Sequence, residues 1–245
     1  MKQLRLLLIL AITCLTGLQL HSQKKIVWFD AGLKAQSGFT GFYNQAIVDS
    51  DNVDFEVTSS VAYGGKLGIN KGYSGVALEL LLGQTKGKFD HQDFVGTTNM
   101  ELQHMDFYVL FRNAKNLGFF EIGPKFSFVR SAEYFRASPD QPVAVTDVTD
   151  DFRSGISGVL SFGANLIGNE GRFSGQLGLR LEYGFKNIVS DRGLANNSPV
   201  YIDGLYANGN KGTHPIFAGI VFELNWGIGY YGMTKCGGRT KFFMF

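Results

Sequence analysis

The chain has 245 residues, with 23 lysines and arginines against 21 aspartates and glutamates, a balance that argues against a nucleic-acid partner. With 32 glycines, 14% aromatic residues and only 5 prolines, it is a β-rich chain with close backbone approaches. Its length suits one domain built on one closed sheet.

Met1 to Ser22 reads as a secretory signal peptide. Lys2 and Arg5 form the basic end, Leu6 to Leu20 carries no charge, and a small residue precedes the cut ahead of Gln23. Its removal leaves 21 basic residues against 21 acidic ones and Cys236 as the sole cysteine, so no internal disulfide is possible. No later stretch approaches the roughly 18 consecutive apolar residues of a membrane helix.

From there the dominant pattern is alternation, which in a strand sends successive side chains to opposite faces. Ile26 to Ala35 puts Val27, Phe29, Ala31, Leu33 and Ala35 on one face. Ser37 to Asp54 reads as a long loop. Val57 to Ile69 separates Val61, Tyr63, Leu67 and Ile69 from Ser60, Ala62 and Lys66, and Asn70-Lys71-Gly72 is a tight turn. Val76, Leu78, Leu80 and Leu82 then oppose Ala77 and Glu79, and Gln84 to Asn99 reads as the second long loop. Glu101 to Arg112 sets Met105, Phe107, Val109 and Phe111 against His104, Asp106, Tyr108 and Arg112. After a short connection, Phe120, Ile122, Phe126 and Phe128 oppose Glu121, Lys125 and Ser127, with a bulge expected at Pro124, which cannot donate to a ladder. Ser131 to Asp151 is the third long loop. Leu160, Phe162, Ala164 and Leu166, then Leu177, Leu179, Leu181 and Tyr183, make a hairpin about Gly168–Gly171 whose other faces hold Ser161, Gln176, Arg180 and Glu182. Lys186 to Gly212 is the fourth long loop. The eighth strand, Thr213 to Gly227, sets Ile220, Phe222, Leu224 and Trp226 against Glu223 and Asn225.

Eight strands with connections alternating long and short form the layout of an all-β, eight-stranded antiparallel transmembrane barrel of the outer-membrane, up-and-down kind, with short periplasmic turns and long external loops. Leucines and phenylalanines then face lipid. Glu79, His104, Asp106, Arg112, Glu121, Lys125, Arg180, Glu182 and Glu223 fall on the opposite face as an interior polar network, paired because an unpaired buried charge costs several kcal/mol. Trp28, Tyr63, Tyr73, Tyr183, Trp226, Tyr230 and Tyr231 collect near strand ends as interface girdles require. The fold alternative is a soluble lipocalin-like barrel with the faces reversed.

The signal peptide, the eight strands, the long loops and Phe245 resemble the small outer-membrane barrels of the OmpX/OmpA type. Gln23 after the cut and the Gly-rich Ser157–Gly163 strand are similar to the PorT-like outer membrane protein beta-barrel domain family. That resemblance implies an accessory of a secretion or gliding apparatus, with envelope proteins as partners beside outer-membrane lipid and the barrel-insertion machinery. Arg239 and Lys241 break the terminal alternation, so the domain division is signal peptide 1–22, barrel 23–228 and a periplasmic tail 229–245, a small hairpin turning at Gly237-Gly238.

Motifs with chemical potential are sparse. His104 and Asp106 share a face and form an acid–base pair in kind, though an interior network uses the same residues. Asp90–Asp93 has metal-ligand composition but reads as a solvated loop, and Thr146–Asp151 lacks the ligand spacing and glycine of a calcium loop. His214 lies at the outer rim without a matching serine. Val200–Tyr206 is apolar enough to pack on other loops. Cys236 has no activating surroundings beyond Lys235 and Arg239. The sequence therefore predicts no enzyme, no cofactor and no metal. It predicts a non-enzymatic barrel acting through its external loops or periplasmic tail, with a lipid-modifying barrel enzyme or a narrow channel as alternatives, an eight-stranded lumen being filled by its own side chains.

Overall fold

The computed structural model describes residues 27–49, 53–91, 97–115, 117–137, 145–168, 173–203, 205–206, 209, 212–233 and 240–244. The expected signal peptide and its cut, most of the Gly168–Gly171 turn, Gln92 and Asp93, Cys236, the Gly237-Gly238 turn and Phe245 lie outside them.

The strands are β1 (Val27–Asn44), β2 (Val53–Glu56), β3 (Thr58–Lys71), β4 (Ser74–His91), β5 (Thr97–Lys115), β6 (Gly118–Ala137), β7 (Val145–Asp147), β8 (Gly155–Ile167), β9 (Phe173–Gly184), β10 (Thr213–Met233) and β11 (Thr240–Met244). Eight of them form a ring in the order β1-β3-β4-β5-β6-β8-β9-β10, every neighbour antiparallel. The ring closes because β10 pairs with β1 along the whole of β1, from Val27 opposite Tyr231 to Asn44 opposite Thr213. Closure leaves the barrel wall no free edge, the condition for β-structure in lipid.

The alternation resolves as a membrane barrel and not as a lipocalin. Leu33, Leu67, Leu80, Leu179, Leu181 and Ile220 are exposed on the outside, while Lys34, Lys66, Glu79, Arg180 and Glu223 are buried inside. The apolar outer run on β9, Leu177 to Tyr183, and on β10, Ala218 to Trp226, spans the seven to nine residues of these stretches, close to the 9–11 of a tilted membrane strand.

Above this band the pattern inverts within single strands. On β4 the outward series Val76, Leu78, Leu80, Leu82 gives way to Gln84, Lys86 and Lys88, and the inward series passes from Glu79 to Phe89, which is fully buried. On β5, Met105 is followed outward by Gln103 and Glu101, and inward His104 by Leu102 and Met100. Below the switch the surroundings are hydrocarbon and the inside is charged; above it the surroundings are water and the inside is an apolar core. Three segments expected as loops are therefore largely strand: β1 runs to Asn44, β4 to His91 with β5 resuming at Thr97, and β6 runs to Ala137.

The bulge expected at Pro124 is absent. Pro124 stands in regular register opposite Gly158, and β5 and β6 keep one register on either side of it. The shift lies higher, between Gln103 and His104 of β5, where Arg130 of β6 is left without an opposite residue. It swaps the inward parity of β6 at the height where the polarity inverts, so that Ala132 becomes buried. A second shift leaves Ile228 unpaired in β10, which continues past the expected end at Gly227 and receives β11 alongside Gly229–Met233.

Close packing inside is set by facing glycines. Gly163 and Gly178 are opposite one another, and a Cβ on either would fall 2.7 Å from the ring of Phe119. A Gly163→Val variant is expected to lose about 1–3 kcal/mol through overpacking, read as a lower urea midpoint of the detergent-folded barrel, while Ala164→Val on the outward face leaves the midpoint unchanged.

Candidate functional site

Inward alternation gathers all nine residues of the expected network into the lumen, where all are buried. It adds three that the sequence reading left out of that group, Asp30, Lys34 and Lys66. Lys34 Nζ contacts Glu79 and lies 3.0 Å from Glu121 and 2.9 Å from Glu223. Arg180 donates to Glu79 at 2.9 Å, to Glu121 at 3.1 Å and to Ser161 Oγ at 2.9 Å, and its guanidinium lies 4.9 Å from the Tyr108 ring centre. Arg112 donates to Glu121 and Glu223 and also contacts Gln176. Lys66 donates to Glu223 at 2.6 Å and to Asn225 at 3.0 Å. The pairs Lys34–Glu121, Arg180–Glu79 and Arg112–Glu223 each join strands four places apart in the ring of eight, which are opposite walls. They are struts across the bore. Multiple charge-assisted bonds per ion make such burial tolerable.

A second layer sits above. Lys125 lies 2.6 Å from Glu182 and 3.3 Å from Asp106, and Tyr108 donates to Glu182 at 3.0 Å. His104 Nε2 is 3.0 Å from Thr85 Oγ1, and its Nδ1 is 2.9 Å from Asp106 Oδ1, off the line of a hydrogen bond. Thr85, His104 and Asp106 thus stand in the order of a nucleophile–base–acid relay. Asp106 is shared with Lys125, and the adjoining cleft of about 20 Å³ has the size of a water molecule, not of a substrate. Glu79, Glu121 and Glu223 come within 4.8 Å of one another, as metal ligands would. The Lys34 ammonium contacts all three and takes the place a cation would fill.

The upper mouth is covered. Phe42, Phe89, Met100 and Leu102 from the strand extensions pack with Val148, Phe152, Ile188, Val189 and Val200 from the connections. Helix α1 (Gln45–Val48) adds Ile47, and α2 (Asp191–Ala195) is capped by Ser190, whose Oγ accepts from Gly193 N. The Tyr201 ring lies 4.3 Å from that of Tyr134, tilted 49° to it, its hydroxyl donates to Asp151, and burial pushes that hydroxyl's pKa up, as it does that of Tyr206. Val200, Tyr201, Ile202 and Leu205 thus pack within the cap. Asp147 Oδ1 accepts from the Thr149 hydroxyl and N–H, which hold its pKa down, so Thr146–Asp151 is a hydrogen-bonded turn. Asp90 is raised by its hydrogen bond with Glu56, which Lys88 in turn holds low. His214 stacks on Tyr183, with Nδ1 2.9 Å from Gly184 O.

A Val200→Ala variant is expected to destabilise the cap by about 2 kcal/mol. Because the cap core and the lumen cluster share no residue, the expected result is faster protease cutting within 186–212 from a barrel whose unheated electrophoretic mobility is unchanged.

Of the expected girdle, Tyr63 and Tyr183 lie on the outer face at the upper edge of the band, and Trp226 and Tyr231 at the lower, while Tyr73 is exposed in the turn between β3 and β4 at the rim of the lower vestibule. Trp28 and Tyr230 do not belong to it. Trp28 shares the inward parity of Asp30, Tyr230 is opposite it, and Trp28 lines a lower vestibule of about 40 Å³ with Asp30, Lys66, Asn70 and Arg112. Parity alone identifies Trp28; Tyr230 reaches that face only through the bulge at Ile228.

These features define an eight-stranded transmembrane-type β-barrel with a braced lumen. No family model and no curated protein matches the chain. Among solved structures it is similar to the outer membrane protein OprG from Pseudomonas aeruginosa, with TM-score 0.41 and 8% identity over 84% of this chain and 97% of that one. It is also similar to Neisserial surface protein A, with TM-score 0.36 and 7% identity over 83% and 97%. The translocator domain of the autotransporter NalP from Neisseria meningitidis gives TM-score 0.20 and 7% identity over 86% and 91%.

Proposed function

We propose that the protein is a non-enzymatic component of the outer membrane, a closed scaffold that displays an ordered external cap. The observation that carries this reading is the set of struts across the bore: Arg180, Lys34 and Arg112 tie opposite walls together and occupy the space a solute would need. The relay at His104 supports no hydrolytic reading, because its cleft admits no substrate-sized group. Export by the signal peptide, and partnership with envelope or secretion-system proteins of the PorT-like kind, extend the proposal from the sequence resemblance. The test is twofold. Purified protein in a planar bilayer is expected to give no conductance steps, and crosslinking in intact cells is expected to capture a stoichiometric envelope protein through the cap or the lower rim. Regular single-channel steps would overturn the scaffold reading.

A further inference from the structure

On the outer wall of β6, β8 and β9 the apolar band is indented. Pro124 and Gly158 are opposite in register, and Gly158 is also opposite Tyr183. Neither Pro124 nor Gly158 projects a long side chain, and the Phe185 ring folds over Gly158, where an added Cβ would lie 2.5 Å from it. The result is a groove of about 520 Å³ bounded by Ile122, Leu160, Leu181 and Phe185.

Cations stand above this groove. Arg130 is exposed in the bulge of β6, Arg153 is exposed just before β8, and Lys186 is exposed just after Phe185. Arg153 Nε donates to the carbonyl of Asn187, which joins the ends of β8 and β9, and its other N–H groups have no partner among the described residues. No described carboxylate pairs with any of the three. Elsewhere at the upper rim Lys86 is paired with Glu101, Lys88 with Glu56 and Arg192 with Asp150. Six residues of β6 separate Pro124 from Arg130, about 20 Å of strand. At a tilt of about 40° that is about 15 Å of depth, half of a hydrocarbon core of about 30 Å. The cations therefore lie at the head-group plane while the groove crosses one leaflet.

We propose that this wall seats an anionic, phosphorylated and acylated lipid of the outer leaflet. Its phosphate is held by Arg130, Arg153 and Lys186, and one acyl chain runs down past Phe185 to Gly158 and Pro124. The inference rests on the outer-membrane reading above. Three cations at a membrane surface, each contributing about fivefold, give roughly a hundredfold in affinity.

The experiment uses the full chain folded in zwitterionic micelles, with folding checked by the mobility difference between unheated and boiled samples. Diphosphoryl lipid A is titrated in and the bound fraction read by native mass spectrometry. Arg130→Gln/Arg153→Gln/Lys186→Gln is expected to weaken binding roughly a hundredfold, and Gly158→Leu to weaken it by filling the groove. Lys86→Gln/Lys88→Gln is expected to leave it unchanged. Dephosphorylated lipid is expected to bind weakly, and inorganic phosphate not to compete. A folded triple variant that binds as the parent does, or full competition by inorganic phosphate, overturns the inference alone. A chain that stays in buffer without detergent overturns the membrane reading and the lipid seat together.

Discussion

An Arg180→Met barrel is expected to lose about 3–5 kcal/mol, because the substitution leaves two buried carboxylates one cation short. Arg180 is fully buried and bonds Glu79 across the lumen and Glu121 two strands away on β6. Methionine matches much of its length but none of its charge. Lys34 then becomes the main partner of both carboxylates, with Arg112 also on Glu121. Urea unfolding of the folded barrel in phospholipid micelles is the measurement. Arg180→Met/Glu79→Gln is expected to recover part of the loss, since it removes one stranded charge along with the cation. Equal stabilities for the parent and Arg180→Met would show that the lumen is hydrated rather than held by struts.

A change at the next residue along is expected to act from the other side. Leu179 faces outward in the middle of the band and is half exposed. Leu179→Arg is expected to cost about 2–4 kcal/mol, the price of a guanidinium at mid-membrane depth. Gln103→Arg, outward on β5 above the polarity switch, is expected to be neutral within about 0.5 kcal/mol. A spin label at Leu179 is expected to be relaxed by lipid-dissolved oxygen, and one at Arg180 is not. The reverse result would invert the barrel.

The strand count, the ring and the lumen were legible because alternation is local: Leu179 and Arg180 announce their faces to any reader of β9. The charged members of β1 were less visible, since Lys34 and Asp30 sit between residues read only for their apolar face, though the same period marks them. The cap was hidden because its parts are far apart in sequence. Phe42, Phe89, Met100 and Val200 meet only after the barrel closes, and in the sequence they lie among polar residues that read as loop. Strand ends were misplaced for a related reason. Once β4 leaves hydrocarbon at Gln84, the outward residues turn polar and the apolar signal moves to Phe89 on the other face. Composition then reports a loop where the hydrogen-bond ladder continues. The Arg130 bulge has no signature at all, since no glycine or proline marks it.

The seam between the first and last barrel strands has a consequence for how the protein is made. Lys34 and Lys66 both grip Glu223, which lies on β10, the last strand of the ring to be synthesised. An unzipped sheet would hold Glu223 against oil without Lys34 and Lys66, so partly inserted forms are expensive and the final stitching is close to all-or-none. The same contacts must break first on the way out, which makes escape from the membrane slow.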